Sequence, residues 1–306
     1  MAPELPRKLS IGIVERETGL TKDTLRKWEV RYGFPSPQRA GNGDRIFSPA
    51  DLQRLLTIKR LLDQGLRPGE VVPLERASLE ALAGAGCVAP PEEAEAVGPM
   101  LAALRDGGSD EPLQILRRAL ASRGLRDFIL GTLPSLNDAV GRSWAEGKLA
   151  VHEEHLYAES VRNLLAEAVG GLSGRAEMPG VLLTTPPGEQ HALGLMSVHA
   201  LFALAGARCV SLGTQTPAGE TILAAIRHRS DIVAVSFSVV YPVRRIAPYL
   251  EELRRRLPRA VEIWAGGGGM DRLRKSLHGI RTFPSLDAAV GALEARAATG
   301  AGGERS

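Results

Sequence analysis

Cysteine is scarce in this chain. Two occur among 306 residues, Cys87 and Cys209, with no pairing motif between them. That argues against a disulfide framework or a zinc site and fits a reducing compartment. Long hydrophobic runs are missing as well: no stretch approaches the length of a membrane span, and the N-terminus lacks a charged-then-apolar leader, so a cytoplasmic protein with no membrane partner is expected. Charge of one sign is not in excess, with 38 Lys and Arg against 35 Asp and Glu, a net charge of +3. Overall charge therefore does not argue for nucleic acid, and only the local placement of arginines can. The length suffices for two or three domains, each with its own core.

The amino-terminal segment is rich in local signals. Ile11 to Leu20 reads as a helix ended by Gly19, and Thr21 caps a second helix from Lys22 to Val30 with Asp23 in its first turn. Two short helices joined by a Gly-containing turn make a helix-turn-helix. A turn-rich stretch flanked by arginines, Arg31 to Phe47, suits a β-wing. Ser48-Pro49 then opens a third helix expected to run to Gly65.

This order resembles the MerR family of winged-helix DNA-binding domains, and Leu25-Arg-Lys-Trp-Glu-Val-Arg-Tyr-Gly-Phe-Pro35 is close to the family's recognition-helix sequence. The resemblance implies a DNA reader over residues 7–76 with double-stranded promoter DNA as its partner. Thr21, Lys22, Thr24, Arg26 and Lys27 lie on the second helix, whose outward-facing members would enter a major groove. Arg31, Tyr32, Arg39 and Arg45 would hold phosphates, which supply affinity while base edges supply specificity. Trp28 and Leu25 read as core.

Residues 77–98, rich in Ala, Gly, Pro and Glu, read as a linker. Residues 99–175 show apolar side chains at helical spacing and read as a four-helix bundle. From 178 to 296 the pattern changes. Short apolar runs at Gly180–Thr185, Ile232–Ser238 and Val261–Ala265 alternate with helical segments such as Leu195–Ala205, a βαβ rhythm that predicts a parallel sheet with ligands at the strands' carboxyl ends. Residues 297–306 are small and polar, and a disordered tail is expected there.

The loop Gly188-Glu-Gln-His-Ala-Leu-Gly194 follows the first of these strands. A carboxylate two residues before a histidine can accept its Nδ1 proton and leave Nε2 as a metal ligand. Glu189-x-His191-x-x-Gly194, followed at suitable distances by Ser236-Phe-Ser238 and Gly266-Gly267, resembles the cobalamin-binding motif Asp-x-His-x-x-Gly, Ser-x-Leu, Gly-Gly. The resemblance makes His191 the lower axial cobalt ligand, with the displaced dimethylbenzimidazole tail running beside Ser236 and the glycines of a Rossmann-like domain. Two positions depart from the pattern: Glu189 stands for Asp and keeps the carboxylate, while Ser238 stands for Leu and removes an apolar contact.

Within the helical region, Trp144 is followed by Glu154-His155 at a spacing that resembles the signature of the CarH/LitR class of light-sensing MerR regulators. It implies that Trp144 packs against a 5′-deoxyadenosyl group, Glu154 hydrogen-bonds it, and His155 is a potential upper cobalt ligand after photolysis, with His152 its rival. Read from the residues alone, Trp144 could equally be bundle core and Glu153 to His155 a solvated helix face. Taken together, the expected protein is multi-domain: an all-α winged helix-turn-helix, a four-helix bundle and an α/β cobalamin domain. It would be a non-enzymatic, light-responsive regulator, a repressor by resemblance, using adenosylcobalamin and forming a homo-oligomer, a tetramer in the dark. The alternatives are a regulator of the same architecture that acts independently of adenosylcobalamin and light, and a corrinoid carrier of a methyltransferase.

Overall fold

A computed structural model of the chain describes residues 9–41, 43–63, 68–75, 78–79, 95–172, 179–273 and 276–301. Most of the expected linker, including Cys87, and the last five residues lie outside the described residues. The chain divides into two compact units, one formed from residues 1–90 with 138–154 and the other from 91–137 with 155–306.

The first unit contains β1 (Leu9–Ser10), α1 (Ile11–Thr18), α2 (Lys22–Tyr32), β2 (Gln38–Arg39), β3 (Arg45–Phe47), α3 (Pro49–Asp63) and α4 (Pro68–Val71). Local chemistry accounts for the boundaries. Ser10 caps α1 by accepting from the Ile13 N–H at 3.4 Å, and Gly19 ends it with φ of 68°, a left-handed turn that a side chain would resist. Thr21 accepts from the Thr24 N–H at 3.2 Å, satisfying a donor that the first turn of α2 leaves open. Ser48 and Asp51 cap α3 reciprocally, each side chain accepting from the other's backbone N–H at 3.0 Å. The three strands form an antiparallel sheet in the order β1-β3-β2, the wing, to which β1 adds a strand that the sequence pattern did not announce. Val14, Leu25, Trp28, Phe47, Leu55 and Ile58 are buried in one cluster. Trp28 is therefore core, as its spacing from Leu25 predicts.

Helices α5 (Val97–Asp106), α6 (Glu111–Arg123), α7 (Leu125–Asp127), α8 (Leu133–Ala145) and α9 (Val151–Leu172) follow, with a single π-helical stretch, Phe128–Thr132, joining α7 to α8. The far end of α8 and the start of α9 group with the first unit.

The α/β part of the second unit is β4 (Gly180–Thr184), α10 (Ala192–Leu204), β5 (Arg208–Ser211), α11 (Ala218–Arg227), β6 (Ile232–Ser236), α12 (Val243–Arg256), β7 (Glu262–Gly266), β8 (Arg281–Thr282) and α13 (Leu286–Ala301). The sheet is parallel throughout, in the order β5-β4-β6-β7-β8. Leu182, Val233, Val235 and Ile263 pack with Ile222 of α11 and Ile246, Leu250 and Leu253 of α12 on one face. Trp264 meets Phe202 of α10 on the other. The order reverses direction between β4 and β6, so the loops leaving those two strands splay apart at their carboxyl ends, where open α/β sheets bind ligands.

Three details differ from the sequence expectation. Strands β5 and β8 are short edges carrying arginine and partly exposed side chains, so they lack the apolar run that marked the central strands. Helix α10 begins at Ala192, three residues before the expected start, because His191 already occupies its N-cap position. Helix α13 continues through Ala301, so the first part of the expected disordered tail is helical. Three of the five residues from 297 to 301 are alanine, the strongest helix former, which carries the helix on from Arg296.

Gly267 connects the fold to the site. Its φ is 92°, and a Cβ there would lie 2.3 Å from the Phe237 carbonyl oxygen. Replacing Gly267 with Ala should destabilise the second unit by about 2 kcal/mol or more, read as a lowered melting temperature. An unchanged transition would show that the loop relaxes around the new methyl group.

Candidate functional site

The turn after β4 brings a carboxylate into a dry position. Glu189 is 1% exposed, and each of its oxygens accepts two hydrogen bonds. Oε1 pairs with His191 Nδ1 at 2.7 Å and accepts from the His191 N–H at 3.0 Å. Oε2 accepts from the Ser238 N–H at 2.8 Å and from its hydroxyl at 2.7 Å. Burial pushes the Glu189 carboxyl up, but the bonds from His191 and Ser238 outweigh it and hold the group below the ordinary value. An ionised carboxylate only accepts, so the proton of this hydrogen bond resides on Nδ1 and the imidazole's lone pair is on Nε2. The His191 side chain is 62% exposed although its carboxylate partner is buried. The ring is thus anchored at one nitrogen and presented outward.

Ser238 was read as a lost apolar contact, and the structure gives it another role. The loop after β6 carries it to within hydrogen-bond reach of Glu189, across the point where the sheet order reverses. Both departures from the motif therefore meet in one cluster.

Beside this loop, a cavity of about 590 Å³ lies between the sheet and helices α10 and α13. It exists because small residues line it: Gly194 on α10, Ala234 and Ser236 on β6, Gly266 on β7 and Ala289 on α13. Its volume falls in the range of about 300–1,000 Å³ usual for small-molecule sites. A Cβ at Gly194 would come within 3.5 Å of the Ser236 hydroxyl, so that glycine keeps the passage beside Ser236 open. Ser236, Gly194, Gly266 and Gly267 thus line one cavity. A second cavity of about 520 Å³ separates α9 from α10, bounded by Ala192, Met196, His199 and the Gly213 turn. Burial lowers the His199 pKa, so that imidazole is held neutral.

One imidazole cannot by itself hold a bare ion, and among the described residues no group of three metal-ligating side chains occurs. The donor set fits a metal that brings its own equatorial ligands. The buried carboxylate, outward imidazole and adjoining empty cavity fit a corrinoid whose tail leaves the cobalt.

Residues 9–77 match the MerR HTH family regulatory protein family, and residues 99–168 match the B12 binding domain. The HTH-type transcriptional repressor CarH of Myxococcus xanthus is 30% identical over 268 residues, covering 85% of this chain and 89% of that protein. The chain belongs to the CarH class of cobalamin-binding MerR regulators. CarA of the same organism, also an HTH-type transcriptional repressor, is 29% identical over 275 residues, covering 87% of this chain and 89% of its own. The monomethylamine corrinoid protein of Methanosarcina barkeri superposes with a TM-score of 0.52 at 19% identity, over 66% of this chain and 98% of that one, a likeness of fold.

In this CarH-class chain the residues assigned to the adenosyl face are spread along two helices. Trp144, on α8, packs against the apolar core of the first unit. Glu154 and His155 occupy the first turns of α9, half-buried and exposed respectively, with His152 exposed a turn earlier.

On α2, Lys22, Arg26, Lys27 and Arg31 are exposed, and Arg26 lies 3.7 Å from Asp23. Val30 is 88% exposed on the same outward stripe as Arg26 and Lys27, and the sequence reading did not single it out. The Thr21 and Thr24 hydroxyls bond each other at 2.9 Å, which gives both a place in the helix cap. Tyr32 is half-buried with the Arg31 guanidinium 5.3 Å above its ring. Arg39 is exposed on β2. Arg45 differs: its Nε donates to Glu29 at 2.8 Å, a partly buried ion pair that ties the wing to α2. That pairing was not visible in sequence because the partners are joined only by the folded wing.

The depressed Glu189 pKa has a definite sign for stability. The carboxylate's hydrogen bonds contribute fully above its unfolded value, near 4.5, and the contribution is lost as pH falls through the lower folded value. Glu189→Gln should therefore be less stable than the native chain at pH 7, by about 2 kcal/mol, and the gap in melting temperature should close as pH drops below 4.5. A gap that stays constant down to acid pH would count against an ionised Glu189.

Proposed function

We propose that this protein is a light-responsive transcriptional repressor acting in the cytoplasm, whose grip on promoter DNA depends on adenosylcobalamin. The observation that carries the reading is the Glu189–His191 pair beside the cavity, in one chain with a winged helix-turn-helix. When bound, the cofactor supplies a cobalt–carbon bond that light can break. His191, oriented by Glu189, would hold the cobalt. Ser236, Gly194, Gly266 and Gly267 accommodate the displaced tail.

Trp144 would pack against the adenosyl group, Glu154 would hydrogen-bond it, and His155 would be a second residue able to hold the cobalt. Because Trp144 also touches the winged-helix core, a change in its packing is felt by the DNA reader. A ligand shifts an equilibrium only by its differential affinity for the two states, and the adenosyl group's contacts provide that difference. Several winged helices in one assembly reach an avidity that one short recognition helix cannot. A tetramer in the dark, dispersed by light, is the arrangement that uses this.

DNA contact is assigned to the exposed side chains of α2, with Arg31, Tyr32 and Arg39 on phosphates. Arg45 supports the wing through Glu29, so the two arginine classes should separate experimentally. Arg39→Ala should leave the melting temperature unchanged and lower the slope of log affinity against log salt by about one, whereas Arg45→Ala should lower the melting temperature. Equal salt slopes for Arg39→Ala and the native chain would remove Arg39 from the phosphate-binding set.

Loading with adenosylcobalamin should give a large assembly in the dark and a smaller, DNA-free species after green light, measured by light scattering. An unchanged mass removes the light switch. His191→Ala should lose the histidine-ligated absorption spectrum after loading, and a native-like spectrum in that variant would overturn the ligand assignment.

A further inference from the structure

The large cavity differs in chemistry from mouth to floor. Gly194 stands at the start of α10, Val198 one turn further and Phe202 near its end, all on the cavity wall. On the sheet, Ser236 pairs with Gly266, and Ala234 with Trp264 two residues earlier. The strands run toward the mouth, so Ala234, Trp264 and Phe202 form the deep end.

Among the described residues, the side chains at that deep end are apolar or aromatic. Trp264 and Phe202 meet edge to face at 5.9 Å, and Trp264 and Phe283 lie 4.8 Å apart. The indole N–H of Trp264, which could have served a ligand, donates instead to Glu262 at 2.9 Å. Arg281 sits over both rings, 5.0 Å from Trp264 and 5.4 Å from Phe283, and pairs with the same Glu262 at 3.3 Å. The polar side chains of the lining are Ser236, Asp271 and Ser285, whose hydroxyl accepts the Ala288 N–H at 3.1 Å. Asp271 is the charged member of the lining.

We propose that this cavity makes the protein selective among cobamides for the lower base, accepting an apolar aromatic base such as dimethylbenzimidazole and rejecting adenine. The inference rests on the reading that His191 displaces the tail into this cavity. Dimethylbenzimidazole buries two methyl groups and a hydrocarbon ring against Phe202, Trp264 and Phe283, surfaces that suit it. Adenine brings an exocyclic amine and additional ring nitrogens that water satisfies outside and that the described side chains of this floor, Ala234, Phe202 and Trp264, do not. Each buried unpaired polar group weakens binding by roughly tenfold or more. The sugar and phosphate are common to both ligands and stay with the polar groups nearer the mouth, so they do not discriminate.

The test uses the full chain in the dark and three corrinoids with the same upper ligand: cobalamin, the cobamide with adenine as lower base, and cobinamide, which lacks the nucleotide tail. Dissociation constants are read from the absorbance retained after ultrafiltration. Cobalamin should bind about 100-fold more tightly than the adenine cobamide, and Val198→Asn, which places an amide on the wall, should narrow that ratio. Equal affinity for cobalamin and the adenine cobamide, both above cobinamide, would overturn the selectivity while leaving His191 ligation intact. Equal affinity for all three would overturn it by showing that the tail does not enter the cavity. Failure to bind any of them would sink the underlying corrinoid reading, and the selectivity with it.

Discussion

The site depends on one buried carboxylate. Glu189 sits where the sheet order reverses and holds a residue from each of the two loops that diverge there, His191 after β4 and Ser238 after β6. An uncompensated charge in that position would be costly, and four hydrogen bonds make it tolerable. The carboxylate therefore orients the imidazole and closes the loop pair in one arrangement. The neighbouring cavity keeps its shape because the loops that rim it are tied at this point, while Gly267 and Gly269 allow the third loop to come within van der Waals range of the second.

The two faces of the sheet serve different ends. Branched and aromatic residues fill the space under α11 and α12. Under α10 and α13, Gly194, Ser236 and Gly266 stand nearest the ligand loops, with Phe202 and Trp264 further down the wall. The DNA-reading unit divides its charges similarly. Arg45 and Glu29 hold the wing to α2, while Arg26, Lys27 and Arg39 remain on the surface.

Much of the fold was legible because its signals are local. Gly19 and Thr21 bound the first two helices through a left-handed turn and a hydroxyl cap, and both operate within four residues. The central strands announced themselves as short runs of buried Val, Leu and Ile, since both their faces are covered. Strands β5 and β8 did not, because an edge strand with one paired side tolerates arginine and serine. Trp144 illustrates an intermediate case: its sequence spacing marked it, but not that it would pack against the winged-helix core.

By itself the sequence determined the helix-turn-helix, the βαβ rhythm and the Glu189–His191 pair, because capping, periodicity and a two-residue separation act over distances that the chain's covalent geometry sets. Tertiary structure alone decided that Ser238 completes the Glu189 cluster, that Arg45 is occupied by Glu29, and that Phe202 and Trp264 meet edge to face on the wall of the cavity beside Gly194. Each of those depends on residues far apart in the chain meeting in space, and the direction of a hydrogen bond or the emptiness of a void is fixed only when every neighbouring side chain has taken its place.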